Sequence, residues 1–368
     1  MSFNECIYSE KLNTYGYDFN LNVRKLFKKD NNIFDYLSEF NTIYLDSGRS
    51  CIHQLCQLIA GEEILVPAFS CHAVIHSFTH SVKPVFYEIN DDFSVNIEDL
   101  ENRITKRTAA VYLSNYYGHL QPKAVIDRLK SLRDQYGFLI FEDNTQSLFS
   151  TGILAGDYCL ASTRKWWAVP DGAALYSNNK LDDILCDGLK QDSKQMDKLC
   201  PQILKSMLLN GKIEVSAERV NELFAEVEEE LNEYTSFGEA FLMSDFTEFI
   251  YKCNAWPETV TARKENEHYL RSLIDNPYIR FTFNEFEINE CPFQLPMYCE
   301  TRDKLWNYLA DKFNIFASVL WRTHMYPEVN EIGCTARMGR EIISLPVDQR
   351  YGKKDMEFLA EALNSYRP

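Results

Sequence analysis

The sequence predicts an α/β fold in which a large, mostly parallel sheet carries helices on both faces and a smaller α+β domain follows. Short apolar runs at residues 64–66, 84–89, 109–113 and 138–141 alternate with segments of helix length. Strands that are buried on both faces read as continuous apolar runs, and connections of helix length are typical of parallel strands. This alternation places the large sheet in the first half of the chain.

Helical periodicity accounts for most of the remaining segments. Ile52, Leu55, Cys56 and Ile59 are spaced as one face of a helix, which predicts a helix over residues 49–60. Residues 181–239 are rich in Lys and Glu with helical spacing, so their carboxylates are expected on a solvated helix face. Later helices are predicted at 245–274, at 302–313 and at the C-terminal end, with strands at 293–298 and 342–347.

These patterns predict three regions along the chain. Residues 1–40 form an N-terminal segment, residues 41–245 form the large domain with a helical insertion at 181–239, and residues 246–368 form the small α+β domain. A chain of 368 residues is long enough to bury a core in each of two domains.

Composition excludes several classes of function. The formal net charge of −16 argues against an electrostatic nucleic-acid binder. No apolar run has membrane-spanning length, and the first residues lack a basic region followed by an apolar core, so we expect a cytoplasmic protein without a membrane partner. The eleven cysteines lack Cys-x-x-Cys spacing and are interpreted as reduced thiols. No Gly-rich nucleotide motif is present, so a phosphate would be held in another way.

Asp143 and Lys165 are the candidate catalytic residues. Asp143 ends a hydrophobic strand, and Lys165 follows it within Ser162-Thr-Arg-Lys165. A lysine can form a Schiff base with an aldehyde cofactor, and a carboxylate can keep a pyridine nitrogen protonated, so the pair points to pyridoxal phosphate (PLP) chemistry. Taken singly, each residue has a simpler interpretation that is the favoured one. Asp143 would cap the next turn, and Lys165 would be a solvated surface charge.

A Ser-Gly turn precedes the predicted helix over residues 49–60. Gly48, Arg49 and Ser50 would offer free backbone N–H groups to a phosphate at the helix N-terminus, and the hydroxyl of Ser162 would complete the cup. The alternative interpretation is a helix cap without a ligand, because Ser and Gly are common at N-caps.

An ordered set of short segments resembles the DegT/DnrJ/EryC1/StrS family of fold-type I PLP enzymes, the sugar aminotransferases. The segments lie at 47–50, 66–70, 83–86, 116–118, 142–146, 156–157, 162–165, 171–175 and 343–346. The resemblance implies a seven-stranded type of sheet, a homodimer, an amino-acid donor such as glutamate and a keto-sugar acceptor that is nucleotide-linked. It implies that Lys165 is the Schiff-base lysine, that Asp143 contacts the pyridine nitrogen, that Gln146 lies near the ring oxygen and that Ser162 contacts the phosphate.

The sequence departs from the family pattern at several positions. Arg49 replaces a small hydroxyl residue, and its guanidinium would contact the phosphate or point to solvent. His72 is the candidate for the residue that stacks on the cofactor ring. The stretch around Phe241 lacks the Asn and Arg that relatives use to reach the neighbouring subunit. The bulky pair that follows Lys165, Trp166 and Trp167, would narrow the pocket or pack at the domain interface, and packing is the favoured interpretation.

Aromatic and histidine clusters provide weaker candidates. Tyr116, Tyr117, Trp321 and His324 lie in loops where the family binds its acceptor substrate, although core packing explains the aromatic residues equally well. His72, His76 and His80 would share one helix face, but no acidic or Cys partner completes a tetrahedral set, so we expect no metal site.

Two other functions stay open at this point. One is a PLP enzyme of the same fold that catalyses another reaction, such as a lyase or a transaminase of a non-sugar ketone. The other is a non-catalytic scaffold, against which the presence of Lys165, Asp143 and Ser162 argues.

Overall fold

The structure is a computed structural model. It describes residues 29–79, 81–184, 186, 188–191, 194–209, 216, 219, 222–223, 225–227, 229–230, 239–283, 285–321, 329 and 332–368.

A seven-stranded sheet forms the centre of the larger part of the chain. Its strands are β1 (Asn41–Leu45), β2 (Glu63–Pro67), β3 (Lys83–Tyr87), β4 (Thr108–Ser114), β5 (Leu139–Asp143), β6 (Tyr158–Ala161) and β7 (Ala173–Ser177), in the order β1-β7-β6-β5-β4-β2-β3. The five strands from β3 to β6 in this order pair in parallel, whereas β7 is antiparallel to both β6 and β1. The predicted mostly parallel sheet is confirmed.

Helices cover both faces of this sheet. They are α1 (Ile33–Tyr36), α2 (Gly48–Gln57), α3 (His72–Thr79), α4 (Ile97–Arg103) and α5 (Lys123–Tyr136). Ile64 and Val66 pack with α2 and α3 on one face, and Leu65 packs with α4 and α5 on the other. Successive side chains of a strand point to opposite faces, so a strand covered on both sides is apolar throughout.

A three-stranded antiparallel sheet forms the second core. Its strands are β8 (Arg280–Phe281), β9 (Gln294–Tyr298) and β10 (Ile342–Pro346), in the order β10-β9-β8. Further helices in the described part of the chain are α6 (Leu199–Leu209), α7 (Asp245–Lys252), α8 (Trp256–Leu273), α9 (Arg302–Phe313), α10 (Gly333–Glu341) and α11 (Lys353–Ser365). Leu270 of α8, Leu305 of α9 and Leu359 of α11 join the core of this sheet. The α+β character expected for the C-terminal region is present, and the boundary at residue 246 stays a prediction.

The prediction of a single helix over residues 245–274 is wrong, because this segment forms two separate helices, α7 and α8. Pro257 lies in the first turn of α8, and α7 ends at Lys252. Proline has no N–H to donate to the preceding turn and disfavours helical geometry at the residue before it, so a continuous helix cannot pass through this position. Apolar spacing continues across the break, which explains the error.

The described part of the Glu-rich insertion agrees with the sequence interpretation. Glu222, Glu226, Glu229 and Glu230 are exposed. Arg219 pairs with Glu222 and Glu226, each at 2.9 Å. These carboxylates lie on a solvated face, as expected for pairs at helical spacing.

Candidate functional site

A cavity of about 560 Å³ opens at the carboxyl ends of the parallel strands. In open α/β sheets this edge is where ligands bind. The cavity brings together eight residues that the sequence singles out: Gly48, Arg49, Tyr116, Asp143, Gln146, Ser162, Lys165 and Trp321. They come from segments far apart in the chain, so the fold assembles them.

Asp143 ends β5, and two contacts fix its carboxylate. Tyr112 donates its hydroxyl proton to Oδ2 at 2.7 Å, and the backbone N–H of Thr145 donates to Oδ1 at 2.8 Å. Burial, with the neighbouring Asp143 charge, holds the pKa of Tyr112 well above its usual value, so the tyrosine remains a neutral donor. The carboxylate therefore has a defined orientation toward the cavity.

Lys165 lies in a single turn of 3₁₀-helix, Thr163–Lys165, directly after β6. The backbone N–H of Ser162 donates to Thr145 Oγ1 at 3.0 Å, and Thr163 Oγ1 lies 2.7 Å from the hydroxyl of Tyr251. Thr145 thus links the turn that carries Lys165 to the strand end that carries Asp143. Packing and hydrogen bonds on both sides leave this turn little freedom.

The side chain of Trp166 helps to hold the turn that carries Lys165. It is fully buried, and its indole N–H donates to the carbonyl of Thr145 at 2.9 Å. The guanidinium of Arg263, on α8, lies 4.3 Å from the centroid of the indole ring and donates to Gln349 at 3.0 Å. Gln349 in turn donates to the carbonyl of Trp166 at 2.6 Å. Trp166 therefore packs against the C-terminal part of the chain, which agrees with the packing role expected for it.

Replacing Arg263 with Met should destabilise the protein by about 2–4 kcal/mol, because buried acceptors would lose their donor. Arg263 is 1 % exposed and donates to the carbonyls of Pro292 and Phe293 at 3.2 and 2.9 Å. Urea unfolding measures this change, with Arg128→Met on the exposed face of α5 as the control. A loss below about 1 kcal/mol would show that these contacts are compensated by water.

The N-terminus of α2 faces the cavity beside Ser162. The hydroxyl of Ser47 caps this helix by accepting from the N–H of Ser50 at 3.2 Å. A Cβ atom built on Gly48 would lie 3.4 Å from the Cβ of Ser162, so the two segments are in close contact. Gly48 and Arg49 at the start of α2 thus line the cavity together with Ser162, and the first N–H groups of a helix are donors that suit an anion.

Ser50, Tyr117 and His72 are cofactor or substrate candidates that do not line the cavity. The Ser50 hydroxyl donates to the carboxylate of Asp46 in the interior. Tyr117 is buried, with its ring 5.1 Å from that of Phe93. His72 is exposed at the first position of α3, 5.6 Å from the ring of His76, because the helix begins there and turns its side chain outward. Its neighbour Cys71 lines the cavity instead.

Gln146, Tyr116 and Trp321 line the cavity. The side-chain oxygen of Gln146 accepts from the N–H of Tyr117 at 2.8 Å, so its amide nitrogen is the group that can donate to a bound molecule. The hydroxyl of Tyr116 donates to the carbonyl of Phe69 at 2.7 Å, and its ring lies 6.0 Å from that of Trp321. These aromatic residues form one wall.

Two histidine candidates, His324 and His80, lie outside the described residues. Within the described part of the chain, no group of three His, Cys, Asp or Glu side chains is arranged to hold a metal ion. The same part contains no helix long and apolar enough to cross a membrane.

Sequence reasoning missed several cavity residues. They are Ser47, Ile52, Ser70, Cys71, Ala73, Val74, Tyr112, Ser114, Asn115, Thr145, Leu160, Arg164, Ala225 and Leu320. No local pattern in the sequence marked Tyr112 as a site residue, because its contact with Asp143 depends on the parallel pairing of β4 with β5. Arg164 did have a signal, since it directly precedes Lys165.

Comparison with known proteins finds a matching protein family and a similar curated protein. Residues 27–153 match the model of the DegT/DnrJ/EryC1/StrS aminotransferase family. The resemblance to this family is confirmed. The chain is also similar to the GDP-perosamine synthase of Vibrio cholerae, with 31% identity over 90 residues, which are 24% of each chain. The match therefore spans about a quarter of the length of that curated relative.

Solved structures share the fold over most of the chain. The aminotransferase TlmJ of Streptoalloteichus hindustanus superposes with a TM-score of 0.65 at 16% identity, over 95% of this chain and 92% of that one. The PLP form of a putative sugar aminotransferase of Streptococcus pneumoniae superposes with a TM-score of 0.65 at 14% identity and the same coverage. At these identities the likeness concerns the fold, and the predicted fold-type I architecture is confirmed.

Proposed function

We propose that this protein is a PLP-dependent aminotransferase. The observation that carries the proposal is the presence of Asp143 and Lys165 in one cavity with a helix N-terminus at its end. A carboxylate, a lysine amine and an anion site are the three groups that the pyridine nitrogen, the aldehyde and the phosphate of PLP require. The family match over residues 27–153 supports the same conclusion.

The donor set of the cavity fits PLP. Ser162, Arg49 and the backbone N–H groups at the start of α2 would hold the phosphate, and Gln146 would donate to the ring oxygen. Asp143, oriented by Tyr112 and Thr145, would hold the pyridine nitrogen. When bound, PLP supplies an electron sink that stabilises negative charge on the substrate carbon.

The residues of this chain would then perform the proton chemistry. Lys165 Nζ would anchor the cofactor and, once released by the incoming amine, carry a proton between the substrate carbon and the cofactor carbon. Asp143 would keep the pyridine nitrogen protonated, and the Tyr112 hydroxyl would hold the carboxylate in place. The wall formed by Tyr116 and Trp321 would exclude water from one side.

The substrates and the assembly are proposed by analogy with the relatives. We propose an amino acid such as glutamate as donor and a keto sugar, nucleotide-linked, as acceptor, because similar proteins carry the names GDP-perosamine synthase and sugar aminotransferase. We also propose that the protein is a homodimer located in the cytoplasm.

Labelling of Lys165 tests the proposed function. The purified protein mixed with PLP should be yellow, and borohydride should fix the cofactor on Lys165, which peptide mapping identifies. Lys165→Ala should abolish turnover and labelling, whereas Lys180→Ala, on an exposed segment, should leave both unchanged. A colourless protein would support the scaffold alternative, and a label on another lysine would disprove the role of Lys165.

Half-reactions with amino donors separate an aminotransferase from other PLP reactions. An aminotransferase should convert the bound cofactor to its amine form when it receives a donor such as glutamate, with loss of the visible absorbance. A protein that is labelled at Lys165 but fails this conversion with every donor tested would be a PLP enzyme with another reaction.

A further inference from the structure

His119 and Glu290 form a pair between the loop of Tyr116 and the segment that precedes β9. His119 Nδ1 lies 2.9 Å from Glu290 Oε2, and because an ionised carboxylate only accepts, Nδ1 carries the shared proton. The ring of His119 stacks on that of Phe286 at a centroid distance of 4.2 Å, and the ring of Phe283 meets it edge-on at 3.5 Å. The imidazole is thus held by a hydrogen bond and by two aromatic rings.

Glu290 is the acceptor on which this contact depends. It is 4 % exposed, and its carboxylate also accepts from the N–H of Leu120 at 2.8 Å and from the N–H of Glu287 at 2.9 Å. Burial opposes the charge of this carboxyl, but the hydrogen bonds from His119 and from the two backbone N–H groups hold its pKa below the usual value. Glu290 is therefore ionised at neutral pH and binds two successive residues of the loop.

The same loop fixes the amide of Gln146 in the cavity. The N–H of Tyr117 donates to Gln146 Oε1 at 2.8 Å, and the carbonyl of Tyr117 accepts from the N–H of Phe293 at 2.8 Å. The amide oxygen is used in this way, so the amide nitrogen is the group that remains for a ligand. The N–H of Tyr117 reaches Gln146 only while the loop keeps its place against residues 287–293.

We propose that His119 and Glu290 are positioning residues that act through Gln146. They hold the loop so that the N–H of Tyr117 keeps the Gln146 amide turned toward the bound cofactor. The inference rests on the proposed function, in which Gln146 donates to the ring oxygen of PLP. The described residues that line the cavity include neither His119 nor Glu290, so their effect on the cofactor should disappear when Gln146 is removed.

Cofactor titration with two probes tests this role. PLP has the ring oxygen and 3-deoxypyridoxal phosphate lacks it, so the ratio of the two affinities measures the contact made by Gln146. His119→Phe keeps an aromatic ring but removes the donor to Glu290, and it should lower the preference for PLP by about two- to tenfold, the usual contribution of one hydrogen bond. Gln146→Ala should lower the preference at least as much. The double variant should show no further loss, because His119 acts through Gln146.

His119→Asn separates positioning from packing. The asparagine amide can donate to Glu290 from near the place of Nδ1, but it lacks the ring that stacks on Phe286. It should keep the preference for PLP, although urea unfolding should show a loss of stability. An equal loss of preference in His119→Asn and His119→Phe would mean that the ring serves packing only, and a wild-type preference in His119→Phe would also overturn the proposal.

Two further variants complete the titration. His268→Phe, which replaces an exposed histidine on α8, is the control and should change neither affinity. Glu290→Gln serves if His119→Phe fails to fold. It should lower the preference for PLP as well, because one amide oxygen cannot accept from all three donors that the carboxylate binds.

Failure of the proposed function gives a different result. In that case wild-type protein binds neither probe and forms no borohydride-stable adduct at Lys165. Hydrogen exchange measured by mass spectrometry then still tests the loop, because His119→Phe should speed exchange in a peptide that contains residues 116–121 and His119→Asn should not. If wild-type protein forms the adduct and His119→Phe changes neither the preference nor the exchange, only the role of His119 and Glu290 is wrong.

Discussion

Asp143→Asn should lower turnover by about a hundred- to a thousandfold, because the substitution removes the charge that stabilises a protonated pyridine nitrogen. The amide is similar in shape to the carboxylate and can still accept from the N–H of Thr145, which lies 2.8 Å from Asp143 Oδ1. The fold should therefore be retained. Cofactor affinity should fall less than turnover, since the contacts at the phosphate end of the cavity do not involve Asp143.

Steady-state kinetics at saturating PLP, together with cofactor titration, measure both effects. Asp127→Asn is a suitable control, because Asp127 is on α5 and pairs with Lys123 on the protein surface. Near-normal turnover of Asp143→Asn would mean that Asp143 serves only to cap the turn at Thr145, the alternative that the sequence leaves open.

Gly118→Ala should destabilise the protein by about 3–5 kcal/mol, since backbone strain and a steric clash both act at this position. Gly118 has a φ of +107°, and a Cβ atom there would lie 2.1 Å from the carbonyl oxygen of Cys291. The clashing atom belongs to the backbone, so no rotation of a side chain relieves the contact. The loop with Tyr116 would have to move away from the segment that precedes β9.

Gly137→Ala separates the two causes. Gly137 also has a positive φ, +78°, but nothing lies within 4 Å of a Cβ atom at that position. Its substitution should cost only about 1–2 kcal/mol, the strain of the left-handed conformation. Urea unfolding of both variants measures the difference, and equal losses would contradict the clash at Gly118.

The positions of the strands and the two candidate catalytic residues could be predicted from the sequence. The run at residues 64–66 is a strand whose every residue is buried, and a strand covered on both faces must be apolar along its length. Asp143 and Lys165 were identifiable because an acid at the end of an apolar strand, followed by a lysine in Ser162-Thr-Arg-Lys165, suits PLP chemistry. Their placement in one cavity agrees with that hypothesis, and their roles in catalysis stay predictions.

Side-chain direction around the cavity could not be predicted. His72 and Cys71 are adjacent in the chain, yet only Cys71 lines the cavity, because the starting point of α3 decides which side chain points inward. Helix boundaries depend on capping and tertiary contacts, which apolar spacing does not encode. The break between α7 and α8 was missed for the same reason, although Pro257 was visible.

The sequence by itself determined the class of fold, the order of the strands along the chain and the pair of residues that suggests PLP chemistry. Only the tertiary structure decided how Asp143 is oriented by Tyr112, how Trp166 stacks against Arg263, and that Arg164 lines the cavity. Local patterns record which residues are buried, because burial follows the period of a strand or a helix. Contacts between distant segments depend on sheet register and packing, which no local pattern contains.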